Sequence, residues 1–291
     1  MNLICNNKCP ICKSNSLFEI CCLSDDNYSN FVNYSDEYYS GLLVQWLNTL
    51  KPVLNRCKNC NHFFYKNVPC EQMLSNMYNS LIRKPGMPAP DREPSLSMIS
   101  VMRKMKNLFT KSKPCLLDYG SGYGRWSVAA HFVGFEVYSY EPNSSRVRKC
   151  NDINYTSSIN EIQNINFDFI WLEQVLEHVV SPLNILKEIK SLMNPDTILS
   201  LSVPNLDKFI FKQNLWKKWP YDNKSSHIMA PYQHLHGFSS KSLSKLLKKV
   251  GLSSIHSSGL LKLSKFYFFR LHLGKILPII SSTRRYCRII C

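Results

Sequence analysis

The 291-residue chain is 44% hydrophobic and 12% aromatic, enough for one large or two modest packed domains, which excludes global disorder. Its net charge of +16 is uneven: residues 223–291 carry 12 Lys and Arg and no acid, whereas 1–222 carry 24 against 20 acids. A uniformly basic nucleic-acid coat is thereby excluded, and a local basic surface near the C-terminal end remains. No basic segment followed by an apolar run opens the chain, so no signal peptide is expected. No run of about 18 apolar residues suggests a membrane span. The 12 cysteines are therefore expected in a reducing, cytoplasmic compartment, where paired cysteines more often bind metal than form disulfides.

Two pairs share one spacing, Cys9-Pro-Ile-Cys12 and Cys57-Lys-Asn-Cys60. Together they can supply four thiolates to one tetrahedral Zn²⁺, a closed structural site. Such knuckles often place a positive-φ residue after the second Cys. Lys13 and Asn61 stand there, and Asn accepts that conformation more readily than Lys. Cys5, Cys21, Cys22 and Cys70 lack the pattern, and His62 reads as a surface residue rather than a ligand. Between the knuckles, the apolar stretch Gly41–Leu50 reads as a helix able to pack over them.

Further along, 71–81 reads as a short helix and 83–94 as a Pro-rich linker, giving a cysteine-rich module over 1–82. Ser95 caps a helix with Leu96, Ile99, Met102, Met105 and Phe109 on its apolar face. Short apolar strands then alternate with helices: strand 115–118, helix 125–133 ending at Gly134, and strands 135–140 and 167–172. Helix 182–192 starts at Ser181-Pro182 and stops at Asn194-Pro195; strand 197–203 follows, then helix 241–250, capped by Ser239 and closed by Gly251. This alternation predicts an α/β domain over 95–259, a mostly parallel sheet with helices on both faces, followed by a basic apolar tail over 260–291.

The chemistry concentrates at Asp118-Tyr-Gly120-Ser-Gly122-Tyr-Gly124, between a buried strand and a helix. Glycines let the chain turn sharply and let a ligand approach the backbone. The spacing is Gly-x-Gly-x-Gly, and an acid precedes it, which suits a ligand with a positive amino-acid end better than a diphosphate. The next strand ends at Tyr140-Glu141-Pro142, with Glu141 21 residues after Gly120, where a carboxylate can accept both hydroxyls of a ribose.

The run Leu116–Trp126 resembles motif I of class I S-adenosylmethionine-dependent methyltransferases, whose fold is a Rossmann-like doubly wound sheet. Glu141-Pro-Asn continues the likeness, and Phe167–Val179, with its Leu-Glu-His-Val ending, is similar to the ubiquinone-methyltransferase-like subgroup. Leu186–Lys190, Val203-Pro-Asn205 and His234–Leu243 match later segments of that subgroup. The cysteine module with Asn67-Val-Pro69 resembles the zinc-ribbon N-terminus of members acting on sugars and surface glycans. The resemblance implies that Asp118, Tyr119 and the backbone of Gly120, Gly122 and Gly124 hold the methionine end of the cofactor. It implies Glu141 and Pro142 at the ribose, and Leu172, Glu173 and Gln174 along the acceptor side. Asn194-Pro-Asp-Thr197 replaces the family's usual Lys-Pro-Gly-Gly turn, and the adenine-binding acid is not evident, Ser157, Ser158 and Glu161 being the options.

Methyl transfer to a hydroxyl needs a proton acceptor, and the histidines near the expected crevice are His178, His227, His234 and His236. His234 is the first candidate for base or acceptor ligand, His178 the second. The insertion 204–238, with Trp216, Trp219, Tyr221 and Tyr232, is where a cover would sit. In 260–291, apolar and aromatic residues interleave with cations, which fits either a segment on an anionic membrane or a helix packed on the sheet. These features predict methyl transfer to a small acceptor, a sugar or lipid-linked glycan precursor, at the inner face of a membrane. An RNA methyltransferase is disfavoured because the charge excess is confined to one end. A non-catalytic binding protein is disfavoured by the intact glycine loop and Glu141.

Overall fold

The structure, a computed structural model, describes residues 3–22, 52–80, 93–143, 146, 150–207, 227–254 and 267–271. The expected helix at 41–50, the linker at 83–92, the Trp-rich part of the insertion and most of 260–291 lie outside these residues.

The cysteine-rich part contributes β1 (Ile4–Cys5), β2 (Leu17–Cys22), β3 (Val53–Cys57), β4 (Phe63–Tyr65), β5 (Asn67–Val68) and helix α1 (Glu71–Ser80). Next come α2 (Leu96–Lys106), β6 (Cys115–Tyr119), α3 (Arg125–Phe132), β7 (Glu136–Tyr140), β8 (Asn154–Thr156) and β9 (Phe169–Glu173). After them run α4 (Pro182–Ser191), β10 (Ile198–Ser202), β11 (His236–Gly237), α5 (Ser240–Lys249), β12 (Leu252–Ser254) and β13 (Tyr267–Leu271). The starts and stops follow local chemistry. Ser95, Ser181 and Ser239 each accept a backbone N–H of the first turn, with Pro182 at the first helical position. Gly134 (φ 95°) and Gly251 (φ 73°) follow the C-terminal ends of α3 and α5. Asn194 Oδ1 accepts from Asp196 N and Thr197 N, so an Asx turn does the work of the missing glycines.

The main sheet has seven strands in the order β12-β13-β10-β9-β6-β7-β8. Strands β8, β7, β6, β9 and β10 are parallel, and β13 runs antiparallel between β10 and β12. From β6 the chain winds outward through β7 and β8, then crosses back to β9 and β10. The winding therefore reverses between β6 and β9, and the crevice at their C-terminal ends is where such a sheet binds ligands. On one face Met102, Met105, Ala129, Ala130, Phe135 and Trp171 pack together; on the other, Leu186, Ile189, Leu243, Leu246 and Leu247 do.

Residues 267–271 depart from expectation: they are a strand inside the sheet rather than part of a surface-lying tail or a docked helix. The cysteine-rich part departs as well, because its sheet, β11-β4-β3-β2, takes its edge strand from residues 236–237. The two regions also share a core, in which Phe63, Tyr65, Met73 and Met77 pack with Met229, Tyr232 and Leu235. His62, expected at the surface, is wholly buried at this joint beside Phe64, His236 and Phe238.

At that seam a Cβ on Gly237 would stand 2.6 Å from Leu206 Cδ2, 2.6 Å from Met229 Sδ and 3.1 Å from Phe63 Cβ. Gly237→Val should therefore lower folding stability by about 1–3 kcal/mol, read as a lower urea midpoint. An unchanged midpoint would show that the seam does not hold the fold together.

Candidate functional site

The glycine loop leaves the end of β6 and crosses to β7. Gly120 N and Ser121 N both donate to Tyr140 O, at 2.8 and 3.0 Å. Gly120, Gly122 and Gly124 all have positive φ (72°, 55° and 74°), so the loop needs three residues without a Cβ penalty. A Cβ on Gly120 would collide with Val175 Cγ2 at 2.8 Å, whereas nothing lies within 4 Å of that position on Gly122. The first glycine thus lets 174–178 pack over the loop, and the second faces open space.

Asp118 is buried under the loop, where Ser127 Oγ donates to its Oδ2 at 2.6 Å and lies 3.0 Å from Ser139 Oγ. Burial pushes its carboxyl up to about 7 against that donation, and the nearby Glu141 and Glu173 push the same way. Glu141 closes the far side: its Oε2 accepts from Gly122 N at 2.8 Å and its Oε1 from Asn143 N at 3.0 Å. One backbone donor per oxygen leaves lone pairs for ribose hydroxyls. Pro142 beside it is exposed. On the acceptor side Glu173 Oε2 accepts from Ser202 Oγ at 2.5 Å, and Gln174 follows in the left-handed region at φ 54°. The buried acid, the open Gly122 and the two-oxygen Glu141 clamp fit the cofactor that the glycine motif implies.

Two expected residues point elsewhere. The Tyr119 hydroxyl donates to Glu188 Oε1 at 2.6 Å, and its ring packs on Tyr140, so only its backbone belongs to the loop. Leu172 is buried in the core beneath α4 and α5. At the end of β8, Thr156 Oγ1 donates to Glu161 Oε2 at 2.7 Å, which holds Glu161 beside the C-terminal end of that strand and does not single it out from Ser157 or Ser158.

The two candidate bases are brought together. The rings of His178 and His234 meet edge to face with centroids 4.6 Å apart. His178 Nδ1 lies 2.9 Å from both the Tyr78 hydroxyl and Gln233 O, and His234 Nδ1 lies 3.0 Å from Ile228 O. Burial first, then His234, holds the His178 imidazole neutral. His236 is not part of this pair; it is buried at the seam, where burial holds its pKa down to about 4. His227 lies in the short 3-10 turn His227–Met229.

Sequence reasoning missed Tyr78, Glu177 and Asn143. Tyr78 comes from α1: its ring carries the Arg146 guanidinium at 5.0 Å, and its carbonyl accepts from Asn143 Nδ2 at 3.0 Å. Glu177 was visible in Leu-Glu-His, yet only its neighbour was read as functional.

The four cysteines also converge. Cys9 and Cys60 Sγ lie 3.6 Å apart, Cys12 and Cys57 Sγ 3.5 Å, and all four fall within 4.8 Å of one another. A tetrahedron of 2.3 Å zinc–sulfur bonds has edges of about 3.8 Å, whereas a disulfide needs about 2.05 Å. Lys13 (φ 62°) and Asn61 (φ 57°) take the left-handed conformation that knuckles require. Lys13 N donates to Cys9 O and Asn61 N to Cys57 O, each at 2.9 Å, so the two turns are alike. The Cys60 thiol donates to Cys9 and holds Cys9 down to about 5. This donor set fits a structural zinc ion.

No curated protein matches the sequence. The fold is similar to a Burkholderia thailandensis 1,6-didemethyltoxoflavin-N1-methyltransferase structure (14% identity, 60% of this chain and 77% of that one, TM-score 0.38). It is also similar to a Synechocystis magnesium protoporphyrin IX methyltransferase (14%, 60% and 74%, TM-score 0.37). A third similar structure is a Methanosarcina mazei SAM-dependent methyltransferase (16%, 58% and 98%, TM-score 0.43). Residues 98–257, more than half of the chain, match the family described as "Methyltransferase domain", and the chain belongs to that family of S-adenosylmethionine-dependent enzymes.

Proposed function

We propose that the protein methylates a small acceptor, a sugar or lipid-linked glycan precursor, and is one of the ubiquinone-methyltransferase-like enzymes with a zinc-ribbon module. The observation that carries this reading is the seating of α1 against the crevice. Tyr78 reaches His178, and Arg146 stacks over both Tyr78 and Tyr123 of the glycine loop, at 5.0 and 5.6 Å. A crevice roofed by the cysteine-rich part suits a compact acceptor better than a nucleic-acid strand.

The cofactor supplies an activated methyl group on a sulfonium, and the protein's share is alignment and proton removal. Asp118 and the loop N–H groups hold the amino-acid end, Glu141 holds the ribose hydroxyls, and Glu173 and Gln174 border the methyl group. A carbonyl can only accept, so His234 Nδ1–H donates to Ile228 O and leaves the Nε2 lone pair to take the acceptor's proton. A structural zinc at Cys9, Cys12, Cys57 and Cys60 has no open position and serves to hold the roof in place. Among the described residues no helix is long and apolar enough to cross a membrane. The cations Lys275, Arg284, Arg285 and Arg288 beyond β13 suit an anionic membrane surface, consistent with a cytoplasmic enzyme at the inner face.

Three measurements test this reading. Isothermal titration of the full chain with S-adenosylmethionine should show binding that Glu141→Ala weakens at least about tenfold, since two ribose hydrogen bonds to a charged acceptor are lost; equal affinity would remove Glu141 from the site. Asp118 provides a pH signature. Its folded carboxyl titrates near 7 and its unfolded one near 3.8, so between those values the folded ligand-free chain holds a proton that the unfolded chain has released, and stability falls as pH rises. Asp118→Asn should flatten that fall between about pH 4 and 7 while weakening cofactor binding; parallel stability profiles would show that Asp118 is not strained by burial. Finally, S-adenosylmethionine labelled at its methyl group, incubated with the enzyme and fractionated cell extract, should label the nucleotide-sugar or lipid-linked saccharide fraction. Label in RNA would overturn the acceptor class.

A further inference from the structure

Beside the paired histidines stands a charge problem that methyl transfer does not explain. Glu177 is fully buried, and neither of its carboxylate oxygens has a hydrogen-bond partner. An unpaired buried carboxylate is among the costlier things a fold can contain, and it normally acquires a proton, a cationic partner or a metal ion.

The two imidazoles nearest it offer no proton. His178 Nδ1 lies 2.9 Å from Gln233 O, and a carbonyl cannot donate, so Nδ1 carries the hydrogen and Nε2 a bare lone pair. The same reasoning at Ile228 O puts the hydrogen of His234 on Nδ1 and a lone pair on Nε2. His178 Nε2 points toward Glu177 Oε1 at 4.0 Å. One ligand atom from each of Glu177, His178 and His234 falls within 4.8 Å of the others. A buried carboxylate and two neutral imidazoles thus converge, and a positive ion among them would turn mutual repulsion into coordination.

We propose that Glu177, His178 and His234 bind one divalent transition-metal ion on the acceptor side of the cofactor crevice. Two imidazole nitrogens and one carboxylate suit Zn²⁺, Fe²⁺, Co²⁺ or Mn²⁺ rather than Ca²⁺ or Mg²⁺, which favour all-oxygen shells. Bonds of about 2.0–2.2 Å bring such ligand atoms to about 3–3.5 Å from one another, so the three side chains would draw in by roughly 1 Å. The outer shell is in place: each imidazole donates Nδ1–H to a backbone carbonyl, the arrangement that fixes the tautomer and aim of a ligating histidine. Three protein ligands leave positions open, and an acceptor oxygen is the natural occupant; with the ion bound, His234 Nε2 is a ligand, so the ion and not His234 would make the acceptor easier to deprotonate. That last role rests on the acceptor entering beside His178 and His234; the binding of the ion does not. The site is separate in chemistry from the cysteine cluster, being all nitrogen and oxygen.

The test is a cobalt(II) titration of the full-length chain prepared free of metal. Two ions per chain are expected. One gives the intense sulfur-to-cobalt charge-transfer absorption of a thiolate site. The other gives only weak ligand-field bands and is stripped first by EDTA. Glu177→Gln and His234→Ala should each weaken the second ion more than about 100-fold, beyond the loss that outer-shell changes cause. The thiolate band persisting in both variants reports that they are folded. Saturation at one ion with the thiolate spectrum alone, or a second ion indifferent to both substitutions, overturns the proposal. Titration with S-adenosylmethionine on the same samples separates the two readings: cofactor binding with a single ion sinks this site alone, and two ions without cofactor binding sink the methyltransferase assignment alone.

Discussion

The cysteine-rich part is tied to the later chain by a short antiparallel pairing, His236 opposite Phe64 and Gly237 opposite Phe63, with Tyr65 N donating to Leu235 O at 3.3 Å beside it. Through this pairing a segment that follows the fifth parallel strand becomes the edge strand of a sheet begun near the N-terminus. The side chains repeat the bond. His236 Nε2 faces Val180 O at 3.2 Å and therefore donates to it, which leaves Nδ1 to accept from His62 Nε2 at 3.1 Å. His62 and His236 are separated by 174 positions in sequence and are both wholly buried, and burial holds both neutral. The seam also fixes chemistry on either side of it. His236 N donates to Glu177 O, and Ser239, the cap of α5, donates its hydroxyl to Cys60 O. The cysteine knuckle, the helix cap and the Glu177–His178 turn are thereby linked by hydrogen bonds, so a metal ion at the cysteines would bear on the geometry of the Glu177–His178 turn without touching it.

The electrostatics of the crevice have the same economy. Four acids, Asp118, Glu141, Glu173 and Glu177, lie at the C-terminal ends of the central strands, and the charges of Glu141 and Glu173 raise Asp118 while that of Glu173 raises Glu177. Without ligand this is like-charge repulsion in low dielectric, an unfavourable arrangement. A ligand carrying a sulfonium and an ammonium relieves it. The cluster of acids therefore favours cationic contents: the cofactor on the loop side and, on the proposed reading, an ion between Glu177 and the imidazoles on the other.

Much of this was legible in the sequence because it is local. Serine caps, Pro182, Gly134 and Gly251 and the strand–loop–helix around Gly120 are set by neighbours a few residues apart, and the structure places them where the pattern does. The left-handed Lys13 and Asn61 follow from knuckle spacing alone. The side-chain directions of Tyr119 and Leu172 were not read from the sequence although a signal existed. Successive residues of a strand face opposite sides. Once Asp118 is assigned to the side of Ser127, Tyr119 must face away, toward Glu188; once Glu173 borders the crevice, Leu172 must enter the core. His62 and β11 had no such signal. A two-residue strand has no period to detect, and its partner lies far away in the chain, so only the assembled fold reveals the pairing. Glu177 was hidden for another reason: its significance lies in what is missing around it, and a missing hydrogen-bond partner is invisible in one dimension.

The uneven charge now divides into parts with different causes. Lys241, Lys248 and Lys249 are exposed on α5, opposite the buried Leu243, Leu246 and Leu247, and the last two sit in its final turn, where cations complement the helix dipole. They are the solvated face of an amphipathic helix and need no partner. Arg270 belongs to β13, in the interior of the strand order between β10 and β12. Residues 267–271 thus complete the sheet and cannot also lie flat on a bilayer. The other cations of 260–291, Lys262, Lys265, Lys275, Arg284, Arg285 and Arg288, lie outside the described residues, four of them after Leu271. On the proposed reading, at roughly 1 kcal/mol per cation near an anionic surface, the four after Leu271 would give reversible attachment rather than anchoring. An enzyme held that loosely would meet the proposed lipid-linked acceptor at the membrane and still exchange its spent cofactor with the soluble pool.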